Sequence, residues 1–280
     1  MNGVRSLLPP MAERSGLAEH RADHDKTQAI FEWRERGRHA TGAVVYALAV
    51  QDPRTAYDRW HSAHRTGAGP WYRLVAACLH GSHLLAGARV LEIGCGSGDF
   101  AAWMAENGAH EVIGRDFSSV PIIEASERFE RDNLTFSLGD VENLDDRAAS
   151  FDLVVSCETI EHVPSPPKAM SELSRVLRSG GVLLLTTPNY MSITGLHRVF
   201  REATGRKWDE GGQPIAHWTA LPRTLRWIGR SGLTIRQVQG DGWYVPIPRR
   251  PGGYAWEPPA PCRRALVPFA LHQLIQAQKP

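Results

Sequence analysis

Cysteine is scarce and scattered. The 280-residue chain has Cys78, Cys95, Cys157 and Cys262, with no C-x-x-C among them. That spacing excludes a disulfide framework and a cysteine zinc site, and points to a reducing cytoplasm. Long apolar runs are missing too. The longest near the N-terminus, residues 43–50, is too short to span a bilayer. No apolar h-region opens the chain, so no signal peptide is expected. There is no internal repeat. Net charge is small, at +2, but it is unevenly placed. Residues 71–200 hold ten Lys/Arg against 17 Asp/Glu, whereas residues 201–280 hold twelve against five. The basic end is either a solvated face or a surface for an anionic substrate or anionic lipid.

What is present starts with apolar content of 42%, enough for a sizeable core. The stretch that organises it is Val90-Leu91-Glu92-Ile93-Gly94-Cys95-Gly96-Ser97-Gly98-Asp99-Phe100. Val90 to Ile93 reads as a buried strand. Three alternating glycines follow, and then Phe100, Trp103 and Met104 at helical spacing, with Gly108 as the stop. No Gly-Lys-Ser/Thr follows, which excludes a P-loop. The spacing G-x-G-x-G also departs from the dinucleotide fingerprint. With Glu92 two residues before the first glycine, the block closely resembles motif I of the class I S-adenosylmethionine (SAM) dependent methyltransferases. In that family the turn packs against the methionine part of the cofactor.

Residues 1–84 read as a tail and a helical cap, with surface helices over 11–39 and a helix over about 71–85. The pairs His61/His64 and His80/His83 read as polar helix faces, because no further zinc ligands sit at suitable spacing. From Arg89 onward, strands at 89–93, 111–115, 134–138, 151–157 and 182–187 alternate with helices at 99–107, 119–132 and 165–179. That alternation predicts a parallel sheet with right-handed crossovers. The expected fold is Rossmann-like, doubly wound α/β, with a mostly parallel seven-stranded sheet. The SAM-binding core spans 85–241, interrupted by a lid at 189–217. Residues 242–280 carry a second insertion, rich in Pro, Trp and Arg over 242–268, and a final strand at Leu271–Ala277. Both insertions are expected to close over an acceptor, with Tyr190, Trp208, Trp218, Trp243, Tyr244 and Trp256 as walls.

Further cofactor residues follow in order. Val112-Ile113-Gly114-Arg115-Asp116 is strand two ending in an acid, which can accept both ribose hydroxyls; Phe117 lies beside it. Leu138-Gly139-Asp140-Val141 follows strand three. The resemblance implies that Asp140 meets the adenine amino group and the Val141 N–H meets the ring. Phe151 to Val155 matches the family's fourth strand. Glu92, Gly94, Gly96, Gly98 and Cys157 complete the implied cofactor set.

Cys157-Glu158-Thr159-Ile160-Glu161-His162-Val163-Pro164 ends strand four, where the transferred methyl should point. Methyl transfer to a hydroxyl needs a proton acceptor, and imidazole suits that role near neutral pH. His162 is the expected base, with Glu161 beside it. On a helical turn Glu158, Glu161 and His162 share one face, which also suits Mg²⁺, Mn²⁺, Fe²⁺ or Zn²⁺. E-x-x-E-H resembles the ubiquinone-biosynthesis O-methyltransferases, the nearest branch in motif, and the small-RNA 2′-O-methyltransferases. In the latter the equivalent residues bind a metal with a later histidine, here His217 or His197. The expected function is methylation of a hydroxyl on a small aromatic, natural-product or quinone-like acceptor. An RNA 2′-O-methyltransferase, an N- or C-methyltransferase and an inactive SAM-binding protein are the alternatives. A nucleic-acid partner is not expected, because no RNA module is recognisable. Peripheral contact with an anionic membrane is the further partner considered.

Overall fold

The computed structural model describes residues 53–64, 69–206, 212–245, 254–256 and 258–280. The helices expected over 11–39, and Trp208, lie outside them. Among the described residues two helices come first, α1 (Pro53–Ala63) and α2 (Pro70–His80). Alternation then begins with β1 (Arg89–Ile93), α3 (Asp99–Glu106), β2 (Glu111–Asp116), α4 (Ser119–Arg128) and β3 (Leu134–Leu138). It continues with β4 (Phe151–Cys157), a 3₁₀ turn at Ile160–His162, α5 (Pro166–Val176) and β5 (Leu177–Pro188). After these come α6 (Ile193–Ala203), α7 (Leu221–Arg230), β6 (Thr234–Asp241), β7 (Trp243–Val245), β8 (Tyr254–Trp256), α8 (Ala260–Leu266) and β9 (His272–Gln278).

Seven strands make one sheet in the order β3-β2-β1-β4-β5-β9-β6, while β7 and β8 pair apart from it as an antiparallel ribbon. β1 to β5 are mutually parallel, and β9 runs antiparallel to both β5 and β6. The expected Rossmann-like architecture with a mostly parallel seven-stranded sheet is the one observed. Strand order reverses between β1 and β4, which sets the switch point beside the glycine turn.

The near-continuous apolar runs of the central strands follow from cover on both faces. Val90, Leu153 and Leu184 point to one face, under α2 and α3; Leu91, Val154 and Leu183 point to the other, under α5 and α7. Several element ends differ from expectation, and α2 ends at His80 instead of about residue 85. α5 stops at Val176, because Leu177 already pairs with Phe151 and begins β5. α4 stops at Arg128, because Phe129 turns to extended backbone (φ −128°) and cannot continue the helix.

α1 is fastened over the carboxyl ends of the strands by two contacts. Asp58 Oδ1 accepts hydrogen bonds from Ser118 Oγ (2.6 Å) and Ser119 N (2.8 Å) at the start of α4. Tyr57 Oη donates to the His162 carbonyl (3.0 Å). Burial favours the protonated form of Asp58, but the serine bonds outweigh it and hold the carboxyl below its usual range.

Candidate active site

The carboxyl ends of β1, β2 and β4 open into a cavity of about 490 Å³. Open parallel sheets hold ligands at this position. The glycine turn forms its floor. Gly94 has φ 73°, and a Cβ there would stand 2.2 Å from Thr159 Oγ1. Thr159 donates in turn to the carbonyls of Cys157 (3.0 Å) and Ile93 (3.3 Å), tying the turn after β4 to the end of β1. Gly98 takes φ 80° as the residue before α3, where a side chain would run into Phe136 and Ala125. Glycine is therefore required at both positions on packing grounds alone.

Asp116 closes β2. Its Oδ2 accepts from Gly96 N (3.0 Å) and its Oδ1 from Ser118 N (2.9 Å). Burial pushes its carboxyl above the usual range, while these backbone donors pull the other way. Asp140 Oδ1 accepts from Glu142 N (2.8 Å) just after β3. Gly94, Gly96, Asp116, Phe117, Asp140, Val141 and Cys157 all line the cavity. Two of the expected residues do not. Gly98 starts α3 behind the floor. Glu92 is wholly buried, and neither of its oxygens makes a hydrogen bond in standard geometry. Burial pushes the Glu92 carboxyl well above its usual range, against the pull of the neighbouring Tyr72 hydroxyl and Ala101 N–H.

His162 lines the same cavity from the 3₁₀ turn. Its Nδ1 lies 2.6 Å from the Ile215 carbonyl. A carbonyl only accepts, so Nδ1 carries the proton and the neutral ring keeps its lone pair at Nε2. Nε2 is 3.6 Å from Glu161 Oε1. Glu161 itself is buried behind the histidine, accepting from Thr187 Oγ1 at 3.2 Å, and is not part of the cavity wall. It touches the base, not the cavity.

The expected metal ligands Glu158, Glu161, His162 and His217 do not converge. His217 Nε2 lies 2.7 Å from the Val163 carbonyl, His162 Nδ1 faces Ile215, and Glu158 turns toward His272 on β9, 3.4 Å away. Among the described residues no three His, Cys, Asp or Glu side chains gather where a metal ion could be held. The residues at this turn do not fit a divalent metal, and no step is routed through one.

The aromatic walls also differ from expectation. Tyr190 and Trp218 pack against each other with rings tilted by 36° and centroids 5.0 Å apart, and Trp243 Nε1 donates to the Leu266 carbonyl; none of the three lines the cavity. Among the described residues of the expected lid at 189–217, Gln213 and Ile215 do. The walls come instead from the N-terminal helices, as Tyr57, Trp60 and His61 of α1 and Trp71 of α2. Sequence reasoning put His61 on a polar helix face but missed that this helix walls the cavity, though Tyr57, Trp60 and His61 stand at i, i+3 and i+4 and so share one helix face.

Known proteins carry the same architecture. Residues 91–185 match the family model of a methyltransferase domain. A malonyl-[acyl-carrier protein] O-methyltransferase of Paenibacillus sp. is 29% identical over 214 residues, covering 69% of this chain and 76% of its own. A ubiquinone biosynthesis O-methyltransferase of Coxiella burnetii is 29% identical over 164 residues, covering 56% and 68%. The crystal structure of a SAM-dependent methyltransferase from Mesorhizobium loti shares the fold at TM-score 0.54 and 21% identity, over 76% of this chain and 99% of that one. With the glycine turn and the acid ending β2 opening on one cavity, residues 91–185 form a methyltransferase domain, and the chain is similar to SAM-dependent methyltransferases beyond it.

Proposed function

We propose that this enzyme methylates a hydroxyl of a small aromatic or quinone-like acceptor, with His162 as the proton acceptor. The observation that carries the reading is the tautomer of His162: Ile215 pins the proton to Nδ1 and leaves the basic nitrogen at Nε2, on a histidine that lines the cofactor cavity.

SAM fits the donor set around it. The cavity volume suits a ligand of this size. Asp116 uses one hydrogen bond on each oxygen and keeps lone pairs for ribose hydroxyls. Asp140 and Val141 would receive the adenine, and Phe117 offers an apolar plate beside it. Gly94, Gly96 and Cys157 would take the methionine end. When bound, the cofactor supplies an electrophilic methyl group.

The protein's own part is then to bind, orient and deprotonate. Tyr57, Trp60 and Trp71 hold an aromatic ring and exclude water. His162 Nε2 takes the hydroxyl proton as the oxygen attacks, and the Glu161 carboxylate stabilises the imidazolium that results. A phenol near pKa 10 is only about a thousandth ionised at neutral pH, so such a base contributes roughly 10²–10⁴-fold. His162→Ala should lower turnover by that factor and leave S-adenosylhomocysteine (SAH) affinity unchanged in calorimetry. Labelled SAM offered with catechols, amines and an RNA duplex identifies the acceptor class. Transfer to RNA alone, or full activity of His162→Ala on the acceptor found, overturns the reading.

For peripheral contact with an anionic membrane, α6 supplies the surface that the reading needs. Leu196, Val199 and Phe200 form an exposed apolar face on this helix, and the exposed Arg206 follows three residues past its end at Ala203.

A further inference from the structure

Five carboxylates line the cavity, Asp99, Asp116, Asp140, Glu142 and Glu158, and no lysine or arginine among the described residues does. Four of the five already have donors. Asp99 receives the Arg128 guanidinium, Asp116 the N–H groups of Gly96 and Ser118, Asp140 that of Glu142, and Glu142 that of Ser165. Glu158 differs. Its Oε2 stands 3.4 Å from His272 Nδ1, and its Oε1 is buried with no hydrogen-bond partner. A buried carboxylate oxygen without a donor is costly, and a ligand donor is the usual remedy.

The backbone holds this side chain in place. Glu158 sits in the left-handed region at φ 48°, rare for a residue with a Cβ, and its N–H donates to the Thr186 carbonyl at 3.1 Å. Around His272 stand Glu158 after β4, Asp241 opposite it on β6 and Trp71 of α2, whose ring lies 5.6 Å away. Burial works against charge on His272, but Glu158 and Asp241 outweigh it and raise its pKa above the ordinary value. His272 thus draws one oxygen of Glu158 by charge, outside standard hydrogen-bond geometry, and no group among the described residues donates to the other. Trp71 lines the cavity on the same side and offers an aromatic face, which attracts cations.

We propose that Glu158 anchors a protonated nitrogen of the acceptor beside Trp71, so that the enzyme selects an aromatic ring bearing an alkylammonium arm over neutral or anionic molecules of the same shape. The proposal rests on the methyltransferase reading of the cavity and adds the acceptor's charge to it. Phosphates or carboxylates on an acceptor would meet a wall of like charge with no guanidinium or ammonium group among the described lining residues to answer them.

Three probes of one shape test it: tyramine, para-ethylphenol and para-hydroxyphenylpropionate, titrated calorimetrically into the full chain saturated with SAH. Tyramine should bind about tenfold tighter than para-ethylphenol, with the carboxylate weakest. Glu158→Gln, nearly isosteric, should erase the tyramine advantage while SAH affinity and melting temperature stay as in the wild type. If that variant does not fold, the wild-type order of the three probes decides alone. Equal affinity for the ammonium and neutral probes, tightest binding of the carboxylate, or no tyramine binding at all overturns the proposal. SAH is titrated first. Failure there sinks the methyltransferase site itself, whereas SAH binding without ammonium preference sinks only the role given to Glu158.

Discussion

Glu92 is a carboxyl held where ionising it is costly. Its folded pKa lies well above 4.5 because it is wholly buried. Its contribution to stability is therefore fully present below about pH 4.5 and is lost as pH rises through the raised folded value. Glu92→Gln removes that dependence, so the variant should gain on the wild type as pH climbs from 4 to 8 in urea melts. Parallel pH profiles would show that the group is not protonated in the folded state. Asp116 is buried as well, but it has polar duties. Asp116→Ala should weaken SAH binding by about 2–4 kcal/mol, the worth of two charge-assisted hydrogen bonds, and wild-type affinity in calorimetry would remove it from the site. That Asp116, Asp140 and His162 line one cavity was legible in the sequence, because each ends or follows a strand in a fixed motif. The pairing of Glu158 with His272 was not, since the two lie on different strands far apart in the chain and meet only through the placement of β9.

At the scale of elements, the strands and crossover helices of 89–188 were readable from periodicity, because buried parallel strands and amphipathic helices impose it. The segments that shape the acceptor side were not. Aromatic content pointed to the insertions, but nothing in composition tells whether a tryptophan walls a cavity or clamps a helix. Trp218 does the latter. Arg198 of α6 lies over the rings of both Tyr190 and Trp218, at 4.6 and 4.9 Å, and holds that helix to the core. The outer face of α6 is left bare, with Leu196 70% and Phe200 64% exposed. Replacing both by glutamate buries no charge, so melting temperature should stay within a few degrees. Flotation with anionic vesicles at low salt should fall in that variant if α6 is the contact. Unchanged flotation would assign membrane binding elsewhere.

The whole molecule depends on β9. It lies between β5 and β6 and bonds to both along its length, with Leu274, Ile275 and Ala277 buried. A chain ending at residue 271 would expose two strand edges and part of both cores. It should lose cooperative unfolding by circular dichroism; a sharp transition near the full-length midpoint would contradict this. The same strand has a consequence for synthesis. β5 ends at Pro188, and β9, its neighbour, begins only at His272. A ribosome adding roughly 5–20 residues per second therefore leaves the edge of β5 bare for roughly four to seventeen seconds. During that interval the half-built sheet is a template for any passing strand, and the nascent chain has most need of a chaperone then.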